Sequence, residues 1–184
     1  LIHLCVLVYH REQPIMNMQT TQFPNAEFLP HVCDLVEQGE KVMIRAKGNS
    51  MRPFLESGRD IAILSKITGP KVGDVVLAEI APKHYVLHRI DKINETQITL
   101  RGDGNVRGVE LCKEADLRAI AIGFVRNGKN WTTESKIWKA YSQIWPRLLP
   151  FRRILLATYR LLWLRQLPQR ITNLLRSKKF KHIP

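Results

Sequence analysis

Between residues 60 and 125 the chain reads as a series of short strands with no room for a helix between them, which constrains the fold more than any other feature. Residues 60–65, 74–80, 85–93, 97–101 and 117–125 are rich in Ile and Val and are separated by Gly, Pro, Asn or Lys turns. Parallel strands need crossover connections of a dozen or more residues, usually helical, so this spacing calls for antiparallel pairing. The expected fold is mostly β: a compact antiparallel barrel or folded sheet.

Two elements precede that series. Phe28, Leu29, Val32, Leu35 and Val36 form a helical stripe over residues 26–38, which Gly39 can terminate. Residues 41–47 then alternate Val42, Ile44 and Ala46 against Met43 and Arg45, a strand that delivers the chain to Ser50.

Ser50 stands in Gly48-Asn49-Ser50-Met51-Arg52-Pro53, between a backbone-permissive Gly and a φ-locking Pro. Taken alone, such a Ser reads as a helix N-cap. Further on, His88 lies in the strand Tyr85-Val86-Leu87-His88-Arg89-Ile90, on the face of Val86 and Ile90, so its ring is expected to point inward. Its ordinary role would be a core histidine bonded to a carbonyl. Asp103 follows in Leu100-Arg101-Gly102-Asp103-Gly104-Asn105, where an Asx turn competes with a role in orienting His88. Chemically, a serine hydroxyl near neutral pH needs an adjacent base, and a neutral imidazole can serve. No cluster with metal-ligand spacing occurs, and no cofactor is expected.

In order and local wording these residues resemble the serine peptidases of the signal-peptidase and self-cleaving-repressor (S24/S26) superfamily, over about 42–124. The Ser-Met-Arg-Pro box is similar to the nucleophile box, and Lys71-Val72-Gly73-Asp74-Val75-Val76 to the strand-opening segment that follows. His88-Arg89 and Gly102-Asp103-Gly104-Asn105 complete the resemblance. It implies a serine endopeptidase of the branch with His in place of a Lys base, with Ser50 as nucleophile, His88 as base and Asp103 as third member. A gapless match to that branch sets Val109 where its triad Asp would stand, with Glu110 beside it. Lys83 and Lys92 could replace the His only if buried. Repressors of the superfamily carry a DNA-binding domain and a scissile Ala-Gly or Cys-Gly, and this sequence has neither dipeptide. The signal-peptidase-like reading is therefore preferred, with a peptide or protein as substrate. The competing reading is a non-catalytic module that keeps the peptidase fold as a binding platform.

At 184 residues and 45% hydrophobic content, one core is expected. The net charge of +13 belongs to the C-terminal end: residues 135–184 hold twelve Lys or Arg and no Asp or Glu. Composition changes after Gly128, with Trp131, Trp138, Trp145 and Trp163 all in the last third. The expected division is an N-terminal extension at 1–25, a peptidase domain at 26–127 and a basic amphipathic helical tail at 128–184. In that tail Leu148, Phe151, Leu155, Tyr159 and Leu162 follow helical spacing, Arg153 and Arg160 fall opposite, and Arg152 interrupts the apolar arc. Peripheral contact of 135–184 with anionic lipid is expected. Nucleic acid is the weaker alternative for the same charges.

Cys5, Cys33 and Cys112 are odd in number and suggest neither a disulfide framework nor a zinc site, so a reducing compartment is expected. The apolar run at 1–9 is about half the length of a bilayer crossing. Met16 and Met18 suggest a native start within the extension. A cytoplasmic location, peripheral to the membrane, is the resulting expectation.

Overall fold

Residues 6–9 and 25–162 are described in the computed structural model. Cys5, His3, His10, His182, Met16 and Met18 lie outside the described residues, as does most of the N-terminal extension.

Helix α1 (Asn25–Glu37) buries Leu29, Val32, Cys33 and Val36 along one side, the stripe expected from sequence. It stops where Gly39 takes φ +92°, a conformation a Cβ would strain. Strand β2 (Lys41–Arg45) buries Val42 and Ile44 and exposes Lys41, as alternation requires.

On one side β2 pairs with β1 (Val6–Tyr9), and on the other with β3 (Ile61–Ser65). The sheet continues through β8 (Leu117–Arg126), β4 (Val75–Ala81), β5 (His84–Ile93), β6 (Ile98–Arg101) and β7 (Glu110–Cys112). A ninth strand, β9 (Lys129–Thr132), pairs with β8 outside this order. Every pairing is antiparallel, as the short connections demand. Of the two expected forms, the folded sheet is found: it does not close, and β1 and β7 are its ends.

Both sheet faces are covered. Val75 and Leu77 of β4 join α1, β2 and Phe124 in the larger core, while Val76 and Ala78 join Val86, Ile90, Leu100 and Cys112 in a smaller one. Each fully buried Leu or Ile contributes roughly 1.5–3 kcal/mol, so β4 is fixed from both sides.

The compact unit runs to Leu148, beyond the composition change. Asn127 (φ +48°) and Gly128 (φ +75°) form the two-residue hairpin between β8 and β9, with Arg126 opposite Lys129. Two successive positive φ values are what a tight I′-type hairpin needs, and Asn-Gly supplies them cheaply. The residues at the composition change thus form a turn. Helix α2 (Lys136–Arg147) follows, capped by Ser135, which accepts from the Trp138 amide at 3.3 Å. Its Trp138 lies in the larger core.

A second unit begins at Leu149. Residues 152–162 are helical. Leu156 and Arg152 are buried, while Phe151, Ile154, Leu155, Leu161 and Leu162 are exposed. Arg152, which interrupted the apolar arc in the sequence, is on the buried side, and most of the arc faces outward.

Candidate active site

The loop carrying Ser50 is held from several directions. Met51, Phe54 and Leu55 are buried in the larger core, pinning the residues just after the serine. Residues 50–54 form turns, not an α-helix, so the N-cap reading of Ser50 does not describe this loop. Gly48 takes φ +100°, and its amide donates to Ser57 Oγ at 3.1 Å. The Gly58 amide donates to the Ala46 carbonyl at 2.7 Å, closing the loop base. Arg52 pairs with Glu56. Fully buried Asp60 accepts from the Glu56 amide (2.8 Å), Arg59 Nε and Nη2 (2.7 and 2.8 Å) and the Asn127 amide (3.1 Å). Burial pushes its carboxyl up, but the Arg59 and backbone donors outweigh that and hold it below the usual carboxylate range.

His88 on β5 is buried, with Nδ1 2.7 Å from Glu110 Oε2. Glu110 opens β7 opposite Leu100, and Leu100 lies opposite Ile90, so β6 sets the carboxylate beside His88. The hydrogen bond from His88 holds the Glu110 carboxyl below its ordinary range, with burial opposing. An ionised carboxylate can only accept, so in the neutral imidazole the proton sits on Nδ1 and the lone pair on Nε2.

Gly102 lies against both that nitrogen and the Ser50 backbone. A Cβ on Gly102 would lie 3.1 Å from His88 Nε2 and would collide with the Ser50 carbonyl oxygen. Gly104 is equally tight: its Cβ would sit 2.6 Å from the Asn49 carbonyl, and its amide donates to the Ser50 carbonyl at 2.7 Å. The glycines around Asp103 are there because the turn lies directly on the Ser50 backbone.

Asp103 is buried, but on another partner than His88. Its two oxygens accept from Arg89 Nε (2.8 Å) and Nη2 (2.7 Å), and Tyr141 donates to Oδ2 at 3.0 Å. The reason is strand geometry: His88 and Arg89 are consecutive on β5 and point to opposite faces, so one meets Glu110 and the other Asp103. Arg89 also donates to the Gly73 carbonyl at 2.6 Å, joining the Gly73-Asp74 segment to the site. Burial works against the Arg89 charge, but Asp103 outweighs it and keeps the guanidinium above its usual value. Lys83 and Lys92 are exposed, which removes the condition for a lysine base.

A small cavity of about 30 Å³ opens beside Ser50, with Ile44, Ala46, Met51, Leu77 and Leu87 among its walls. Among the described residues, no group of three or more His, Cys, Asp or Glu could hold a metal ion.

Sequence reasoning did not find the Tyr141 and Trp145 contacts to Asp103, because both residues fall in what composition marked as tail. Glu110 was only a neighbour of the expected acid; Val109, at the expected position, is exposed.

Fold and site together define a β-sheet domain presenting a serine, a histidine and an acid. Residues 12–122 match the Peptidase S24-like family, and the chain belongs to that family. Its members are generally serine peptidases. No curated protein and no solved structure matches the chain.

Proposed function

We propose that the protein is a serine endopeptidase in which Ser50 is the nucleophile, His88 the general base and Glu110 the carboxylate that orients and charge-stabilises the imidazole. The reading is carried by one observation: His88 is bonded to Glu110 through Nδ1 at 2.7 Å, and Gly102 packs against both its Nε2 and the Ser50 backbone. Ser50 Oγ would attack a peptide carbonyl as His88 Nε2 takes its proton. His88 would return that proton to the leaving amine, and a water activated by the same nitrogen would release the acyl group. Asp103, first expected as the third member, is assigned to holding the turn against Ser50.

The cavity favours a small apolar side chain at the cleaved position, in a peptide or protein substrate. Cleavage of a peptide library tests the proposal: Ser50→Ala and His88→Ala abolish turnover with unchanged folding, and Glu110→Gln lowers kcat by roughly 10²–10⁴-fold. Parental turnover by Ser50→Ala or His88→Ala refutes it. It would leave the rival reading, a binding platform on the same fold.

For the basic C-terminal part the proposed partner is an anionic lipid surface, met peripherally from the cytoplasmic side. Helix α2 commits Trp138 and Trp145 to the compact unit, so the proposal narrows from 135–184 to 149–184. In its favour, Ile154, Leu155, Leu161 and Leu162 share one exposed side of the 152–162 helix, opposite Arg153 and Arg160, and Phe151 just before it is exposed too. Among the described residues no helix is long and apolar enough to cross a membrane.

A further inference from the structure

The family match ends at residue 122, but the back of the candidate site is built by α2, which lies beyond it. We infer that Tyr141 and Trp145 are positioning residues for the proposed hydrolysis, holding Asp103 and, through the 102–104 turn, the backbone of Ser50. The inference rests on the peptidase reading of Ser50 and His88.

Asp103 is gripped twice from α2. The Tyr141 hydroxyl donates to Oδ2 at 3.0 Å, and the Trp145 indole N–H donates to the Asp103 carbonyl at 3.0 Å. One residue on, the Gly104 amide donates to the Ser50 carbonyl at 2.7 Å. A chain of three hydrogen bonds and one residue step thus connects α2 to the nucleophile loop.

The same helix also meets that loop from its other side. The Phe54 ring, four residues after Ser50, lies 4.7 Å from Trp138 and 5.1 Å from Tyr141 between centroids. Arg89 stands 4.8 Å from the Trp138 ring and 5.3 Å from that of Tyr141, so the cation beside His88 in sequence is contacted by α2 as well. Burial, and then Asp103, push the Tyr141 hydroxyl far up, so it stays a donor while His88 exchanges its proton.

Packing alone would not require these polar groups. A Phe ring at 141 would cover the same apolar neighbours, but it would aim no donor at Asp103. Removing a donor leaves the ion-paired carboxylate (Tyr141) or the backbone carbonyl (Trp145) of Asp103 under-satisfied and lets the turn relax, with consequences for the reaction that exceed those for stability.

The test compares Tyr141→Phe and Trp145→Phe with the parent on a cleaved peptide, with concentrations corrected by titration of the reactive serine. Each variant lowers kcat about tenfold while KM stays within about twofold, because the lost interaction orients the reacting groups without touching substrate. A corrected kcat within about twofold of the parent in both variants overturns the inference. If the parent cleaves nothing, the peptidase reading fails by itself, and hydrogen exchange at the Gly104 amide decides the positioning claim. Exchange faster by about tenfold or more in both variants supports it, and parental exchange overturns it.

Discussion

Adding a single methyl at Gly102 tests the site geometry without removing any catalytic group. Gly102 is outside the left-handed region, so alanine brings no backbone strain and the whole effect comes from the added carbon. That carbon would meet the Ser50 carbonyl oxygen in a collision, the Ser50 carbonyl carbon at 3.0 Å and His88 Nε2 at 3.1 Å. Restoring ordinary contact forces the Ser50 carbonyl back by about 1 Å, and a misplacement of that size costs roughly 10²-fold in rate. Overpacking of a tight site also destabilises by about 1–3 kcal/mol, and each kcal/mol lowers Tm by roughly 2–4 °C in a chain of this size. Peptide cleavage kinetics and calorimetry of Gly102→Ala read both effects. A variant with parental kcat and parental Tm refutes the close approach of the turn to Ser50 and His88.

Asp60→Asn should destabilise by about 1–3 kcal/mol at pH 7, because one oxygen no longer accepts from Arg59 or a backbone amide. The Asp60 carboxyl is held down in the folded state, so its stabilisation is present above the unfolded value near pH 4 and fades as pH falls through the lower folded one. Urea unfolding therefore shows a large difference between parent and variant at pH 7 that shrinks at acid pH, and a pH-independent difference contradicts the assignment. Tail contact is checked by liposome flotation: the full chain co-floats with anionic vesicles and not zwitterionic ones, and Ile154→Asp with Leu161→Asp abolishes this. Equal flotation of parent and double variant rejects it, and salt-sensitive nucleic-acid binding without lipid binding favours the alternative partner.

Much of this was legible in the chain because local rules decided it. Alternation over 41–47 and 85–93 placed Ser50 after a strand and His88 facing inward, and the stripe over 26–38 gave α1 nearly to the residue. Where distant register decides, sequence was silent. Choosing between Asp103 and Glu110 requires knowing that β6 pairs with both β5 and β7, and that β5 shifts register between Ile90 and Lys92. With only three residues, β7 has no alternation to read. Trp138 and Trp145 looked like tail because cations surround them, yet burial against the core governs them. The boundary was set after Gly128 because the Trp residues beyond it change the composition, yet β9 pairs with β8 and the compact unit continues to Leu148.

Mass spectrometry after treatment with a serine-directed fluorophosphonate tests the central claim most directly. The account predicts one adduct, on the Ser50 oxygen, that is absent from Ser50→Ala, slowed in His88→Ala, and formed in step with the loss of peptide cleavage. Cleavage that survives complete modification of Ser50, or inhibition with the adduct on another residue, would contradict it.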